Sequence, residues 1–125
     1  MDDPNAPYHA HIYFSAEERP AAEALRAAFA RRVAILFIGA PTDGPAGPHP
    51  MPQYEVHFRR GALPDVVSMI EASGLRALVH PLTLDDLADH TSLGAWCGAP
   101  LDLDLSVLDP PGINQGLARF GRSDF

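Results

Sequence analysis

Tyr8-His9-Ala10-His11-Ile12-Tyr13-Phe14 is the stretch on which the reading of this chain turns. With a two-residue period it is a strand: Tyr8, Ala10, Ile12 and Phe14 face one way, and His9, His11 and Tyr13 the other. Its β-branched and aromatic residues suit a half-buried pleated surface. Two imidazoles at i and i+2 stand about 6.6 Å apart along one face, close enough to converge on one cation. Imidazole is a ligand for iron, copper and zinc. Two histidines on a solvated sheet face would read the same, so the placement of the other histidines decides.

Outward from this strand, Ser15 and Glu18 have the spacing of a capping box. A turn over 15–19 leads into a helix with Pro20 at its first position. Ala21, Leu25, Ala28 and Phe29 form its apolar stripe, and Arg31 and Arg32 follow near its end. Residues 33–38 read as a short buried strand. In 39–52, eight of fourteen residues are Gly or Pro, so this is a long loop that holds His49 between Pro48 and Pro50. Residues 53–58 alternate again, with Tyr54, Val56 and Phe58 opposite Gln53, Glu55 and His57. A second helix opens at Leu63-Pro64, carries Leu63, Val66, Val67 and Ile70 on one face, and stops at Gly74. Residues 75–79 form a fourth strand ending at His80. An acidic helical turn capped by Thr83 runs to His90, and the alternating Leu101-Asp102-Leu103-Asp104-Leu105 reads as a last strand.

This order predicts an α+β fold: a ferredoxin-like split βαβ sandwich with an extra C-terminal strand. It is read as a single domain over 1–125, with a core at about 8–108 and a loosely held tail at 109–125. Strands one and three are expected at the centre, with strand four beside strand one. His80 and His49 would then approach the face of His9 and His11. That face has no helix of its own, so a symmetric homodimer is expected, packed through the sheets or through residues 101–105.

Composition narrows the chemistry. The net charge of −7 excludes a phosphate-binding basic face and so argues against nucleic acid. All nine basic residues are arginine, which excludes a Schiff-base or phosphate-loop lysine. No apolar run approaches the ~20 residues that span a bilayer, and the first residues lack the pattern of a signal peptide. The single cysteine, Cys97, reads as a small buried hydrophobe, and a cytoplasmic location is expected. Six histidines, the carboxylates and a few tyrosines are left to carry any reaction.

Three motifs in order, YHAHIYF at 8–14, GPHPMP at 47–52 and LVHPLTLDDLADH at 78–90, followed by Trp96 and LDLDL, resemble the DOPA 4,5-dioxygenase family. The resemblance spans residues 8–108 and departs at Leu84, where a glycine is expected. It implies a dimeric ferredoxin-like domain and, for the fungal members, extradiol opening of the catechol ring of DOPA by molecular oxygen. Its histidines fall on His9, His11, His49, His80 and His90; His57 lies outside the motifs and is read as incidental.

A redox metal suits this reaction, because triplet dioxygen and a singlet catechol do not combine directly. The expected cofactor is Fe(II), with zinc or another divalent metal as alternatives, and the expected partners are a small o-diphenol and O₂. Rigid elements hold ligand geometry best, so His9, His11 and His80 are assigned to the metal and His49 and His90 to acid–base work. The competing scheme exchanges His9 and His49. A carboxylate ligand, if one completes the set, is Glu55, Asp86 or Asp89. Arg59 and Arg60 are either a solvated turn or partners for a substrate carboxylate, and Tyr13 either packs or bonds substrate. The alternatives to an iron dioxygenase are a dimeric metal- or ligand-binding module and a cofactor-free oxygenase. Neither has need of several histidines in one cleft.

Overall fold

The computed structural model describes residues 3–122. Its element order opens with strand β1 (Pro7–Tyr13), helix α1 (Arg19–Ala30), strands β2 (Ile35–Ile38) and β3 (Gln53–Arg59), and helix α2 (Leu63–Ser73). Strand β4 (Arg76–Pro81), helix α3 (Asp86–His90), strand β5 (Ala95–Cys97) and the one-turn helix α4 (Gln115–Ala118) complete it. The five strands form one antiparallel sheet in the order β2-β3-β1-β4-β5. As expected, β1 and β3 are central and β4 lies beside β1.

Two-residue alternation divides the sheet into two faces. Ala10, Ile12, Tyr54, Val56, Phe58, Ala77 and Val79 pack under the two long helices, against Ala22, Leu25, Phe29, Val66 and Ile70. The Tyr54 hydroxyl reaches across this layer and donates to the Ala22 carbonyl at 2.9 Å. On the opposite face the register aligns His57 with His9 and His9 with His80 in one row, and Glu55 with His11 and His11 with Leu78 in the next. Leu78 apart, polar side chains thus fill this face of the three central strands.

Several local expectations are corrected. In α1 the buried stripe is Ala22, Leu25 and Phe29, so Ala21 lies one position outside it. The Ser15–Glu18 capping box, by contrast, forms as expected in the turn that leads into the helix, with bonds of 3.0 and 3.3 Å. The run 33–38 is no buried strand: only Ile35–Ile38 pairs, at the sheet edge, and Val33 is 98% exposed. The cap of α3 is Asp85, which accepts from the Ala88 N–H, while Thr83 donates from its N–H and hydroxyl to the Asp89 carboxylate. Residues 101–105 form no strand, because β5 already occupies the outer edge of β4.

The face left without long helices is roofed by the chain itself. The Pro-rich loop folds into a small hairpin in which Ala46 and His49 exchange backbone hydrogen bonds of 3.1 and 2.9 Å. Gly47 has φ +53° there, the backbone a two-residue hairpin turn takes at its first central position and a side chain disfavours. Residues 109–122, expected as a loose tail, dock over the same face; residues 123–125 of that tail lie outside the described residues. His9, His11 and Tyr13 are therefore buried within one chain. The argument for a homodimer through a bare face, or through strands at 101–105, loses its premise.

One glycine ties α3 to the sheet. A Cβ on Gly94 would come within 2.9 Å of Leu78 Cδ1 and 3.0 Å of the Asp89 carbonyl oxygen. Leu78 is fully buried and the carbonyl belongs to α3, so neither can retreat freely. Gly94→Ala is expected to cost about 1–3 kcal/mol, as overpacking does. Thermal unfolding checks this; a melting temperature equal to wild type would contradict it.

Candidate metal and substrate site

The site is assembled from two-residue spacing on strands and from two loop segments. β1 supplies His9 and His11, β3 supplies Gln53, Glu55 and His57, and β4 supplies His80. The loop hairpin brings in His49, and α3 brings in His90. All five motif histidines thus come together, and His57, read as incidental, joins them with its ring stacked 4.0 Å from that of His9. A cavity of about 160 Å³ opens onto His9, His11, His80 and His90, with Leu108 and Arg119 among its other walls.

Hydrogen-bond partners fix which ring nitrogens carry protons. A carbonyl can only accept, so His80 Nδ1 donates to the Pro81 carbonyl at 2.7 Å and His90 Nδ1 donates to the Asp86 carbonyl at 2.8 Å. His11 Nδ1 donates to Gln53 Oε1 at 3.2 Å. Each of these rings then presents a bare lone pair at Nε2. His11 Nε2 and His80 Nε2 lie 2.9 Å apart with no proton left to join them. Two facing lone pairs in a buried pocket repel unless a cation lies between or beside them. His9 Nε2 is also buried without a hydrogen-bond partner, while its Nδ1 stands 3.7 Å from Glu55 Oε2. A second atom set back on a carbonyl or carboxylate is how metal-binding imidazoles are oriented.

Three triads have ligand atoms within 4.8 Å of one another: His9, His11 and His80; His11, His49 and His90; and His9, Glu55 and His57. Proton placement separates them. The buried Tyr13 hydroxyl lies 2.6 Å from His49 Nδ1, its one hydrogen-bond partner among the described residues. The hydroxyl either donates to Nδ1, which leaves the His49 proton on Nε2, or accepts from an Nδ1–H, which leaves Nε2 bare. His57 Nδ1 accepts from the Gly121 N–H at 2.9 Å, so its Nε2–H donates to Glu55 Oε1 at 2.9 Å. His57 has no lone pair left to give, whereas His49 offers one only in the tautomer that donates from Nδ1 to Tyr13. The donor set of His9, His11 and His80 fits a divalent cation, and Glu55 supplies negative charge behind it.

The electrostatics agree. Burial holds His9 and His11 well below the usual imidazole range, and neighbouring histidines push in the same direction. Burial, followed by the charge of His90, brings His49 and His80 down to about 3. These rings are neutral at pH 7, so a cation displaces no proton. His90 is the exception: burial lowers its pKa, but bonds to the Asp86 side chain and carbonyl outweigh this and raise it. Asp86 in turn is raised by burial and lowered, on balance, by His90 and the Asp109 N–H. Burial keeps Tyr13 protonated far above neutrality.

Other expected residues lie elsewhere. Asp89, fully buried, is saturated by Thr83 and by Asn114 Nδ2, so it braces α3 and offers no ligand. Arg59 donates to the Asn5 carbonyl and lies over the Phe120 ring, and Arg60 donates to the Tyr8 hydroxyl. Neither lines the cavity. Cys97 is half-buried, and burial raises its thiol pKa, which does not suit a nucleophile. Sequence reasoning missed His57, although it shares a strand face with Glu55 and Gln53. It also missed Asn114, Gly121 and Arg119, for which no periodic signal exists.

Comparison with known proteins adds the following. A family model described as the Dopa 4,5-dioxygenase family matches residues 8–107. DOPA 4,5-dioxygenase of Amanita muscaria is 36% identical over 118 residues, covering 86% of this chain and 52% of that protein. An uncharacterized 21.2 kDa protein of Botryotinia fuckeliana is 40% identical over 78 residues, covering 53% and 42%. The chain therefore spans about half the length of the curated relatives it matches. A crystal structure from Nostoc punctiforme, of a protein provisionally described as a dioxygenase, superposes with a TM-score of 0.77 at 35% identity. It covers 86% of this chain and 96% of that one.

Proposed function

Because the chain belongs to the Dopa 4,5-dioxygenase family, we propose that it cleaves the ring of a small o-diphenol in the extradiol sense, with non-heme Fe(II) and O₂. The observation that carries this reading is the pair of opposed Nε2 lone pairs of His11 and His80, 2.9 Å apart beneath a ring-sized cavity. In this reading His9, His11 and His80 hold the iron. Zinc or another divalent ion would bind the same nitrogen donors. Bound there, iron(II) supplies the spin-allowed route by which a catechol and dioxygen combine.

The chain's own groups do the rest. His90 takes a catechol proton at Nε2, the nitrogen left bare by its Nδ1 bond to the Asp86 carbonyl. Its raised pKa, set by Asp86, makes it the strongest base of the cluster. In the tautomer in which Tyr13 donates to its Nδ1, His49 donates from Nε2 toward developing negative charge. Glu55 and Gln53 orient His9 and His11 from behind, and His57 anchors Glu55. The loop hairpin and residues 109–122 exclude bulk water from the reacting face. The sheet order supports the ferredoxin-like plan, and no helix among the described residues is long and apolar enough to cross a membrane.

Anaerobic reconstitution with Fe(II), addition of DOPA or another catechol, and admission of air test the reading directly. Oxygen uptake with a yellow ring-opened product is expected. Protein loaded with iron that consumes no oxygen on any catechol would leave metal binding without catalysis.

A further inference from the structure

Arg119 follows α4 and lines the same cavity as the metal-binding histidines. Its Nε is buried with no hydrogen-bond partner, and its guanidinium makes no ion pair among the described residues. The carboxylates around the cavity are all engaged by the chain. Glu55 accepts from His57, Asp86 from the Asp109 N–H, and Asp109 from the N–H and side-chain amide of Gln115. A buried guanidinium nitrogen without an acceptor is costly, and the described residues supply none. A carboxylate entering the cavity can supply acceptors to this guanidinium.

We propose that Arg119 is a specificity-determining residue that pairs with a carboxylate on the side chain of the o-diphenol. This rests on the ring-cleavage reading for the ring itself, and it adds the substituent. The cavity is about 160 Å³, and a cavity of roughly 150 Å³ takes up one benzene ring. A single ring held at the histidines leaves its substituent among the other lining residues, of which Arg119 is the one arginine. A planar guanidinium matches a carboxylate with two parallel bonds. A doubly charged phosphate ester suits the site poorly, since one arginine would have to offset it beside Glu55, Asp86 and Asp109. Arg59 and Arg60, the arginines expected from sequence to serve this purpose, are committed to Asn5, Phe120 and Tyr8. The segment bearing Arg119 also lies beyond residues 8–107, the span the family model matches.

The test is equilibrium binding by calorimetry without oxygen, so that it reads independently of turnover. The probes are 3,4-dihydroxyphenylacetate and 4-methylcatechol, which share the ring and differ in the charge. Wild-type protein is expected to bind the acid about 10-fold or more tightly than the neutral catechol, as a charge-assisted bond allows. In Arg119→Gln that ratio should fall to about one, and in Arg119→Lys, which keeps the charge without the fork, to a value between. An unchanged ratio in Arg119→Gln overturns the proposal, as does a wild-type preference for the neutral catechol or failure to bind either. If ring cleavage itself is absent, the ratio is still measured, so the two readings fail separately.

Discussion

Replacing His11 by alanine is expected to strip divalent metal from the protein, weakening its affinity by more than about 100-fold. That exceeds the roughly 10–100-fold that loss of an orienting partner costs. His11 is at the crossing of the cluster: it belongs to two of the three metal-capable triads and faces His80 across 2.9 Å. Its ring is held by Gln53 on a central strand, so no neighbour can swing in to replace it. Metal content after dialysis, and the rise in melting temperature on adding metal, both read the loss without an activity assay. His9→Ala should behave the same way. With Tyr13 donating to its Nδ1, His49 acts from a protonated Nε2, and His49→Ala should keep its metal and lose turnover by roughly 10²–10⁴-fold. If His49→Ala loses metal and His9→Ala retains it, the two roles are exchanged.

Acid should unfold the metal-free protein well above the pH at which carboxylates titrate. His49 and His80 are brought to about 3 by burial, against about 6.5 in an unfolded chain. Above pH 6.5 both states are neutral at these rings, and nothing is gained or lost. Between about 6.5 and 3 the unfolded chain binds protons that the folded one refuses, so stability falls as pH falls. Each such histidine contributes up to about 1.4 kcal/mol per pH unit. At pH 5 the two together cost roughly 4 kcal/mol, a large share of the 5–15 kcal/mol of an ordinary domain. His9 and His11 are shifted in the same direction and add to this. His90 and the buried Asp89, whose pKa values are raised, oppose it. Urea titrations of metal-free protein from pH 8 to 5 should show the midpoint holding down to about pH 6.5 and dropping below it. A flat midpoint across that range would mean the imidazoles are not buried as described, and bound metal should restore much of the loss.

The central sheet and five of the six histidines of the site were legible because strand alternation is a strong local signal. Tyr8 to Phe14 and residues 53–58 each carry one apolar and one polar face, and the order of elements places β4 beside β1. The same signal misled at Leu101–Leu105. Alternation predicts a strand only where an edge is open to pair with, and Ala95–Cys97 takes that edge first. Asp104 instead caps a 3₁₀ turn by accepting from the Ser106 N–H. His57 was passed over because it falls outside the motifs, although its strand face was already known to be that of Glu55. The docking of 109–122 could not be read at all. It rests on single polar bonds, such as Asn114 to Thr83 and Asp89, made by residues with no repeat and little apolar weight.

That docked segment divides the labour of the site between two stretches of chain. The nitrogens that could hold a metal sit on the sheet, inside the span that matches the family model, whereas the wall bearing Asn114, Gln115 and Arg119 lies outside it. The bond from Gly121 to His57 shows where the wall fastens to the sheet. A reactive floor of paired strands constrained by register can stay fixed while such a wall is exchanged, lengthened or recharged. Grafting a different segment after residue 108 should therefore be a practical route to new ligands over the same histidine floor.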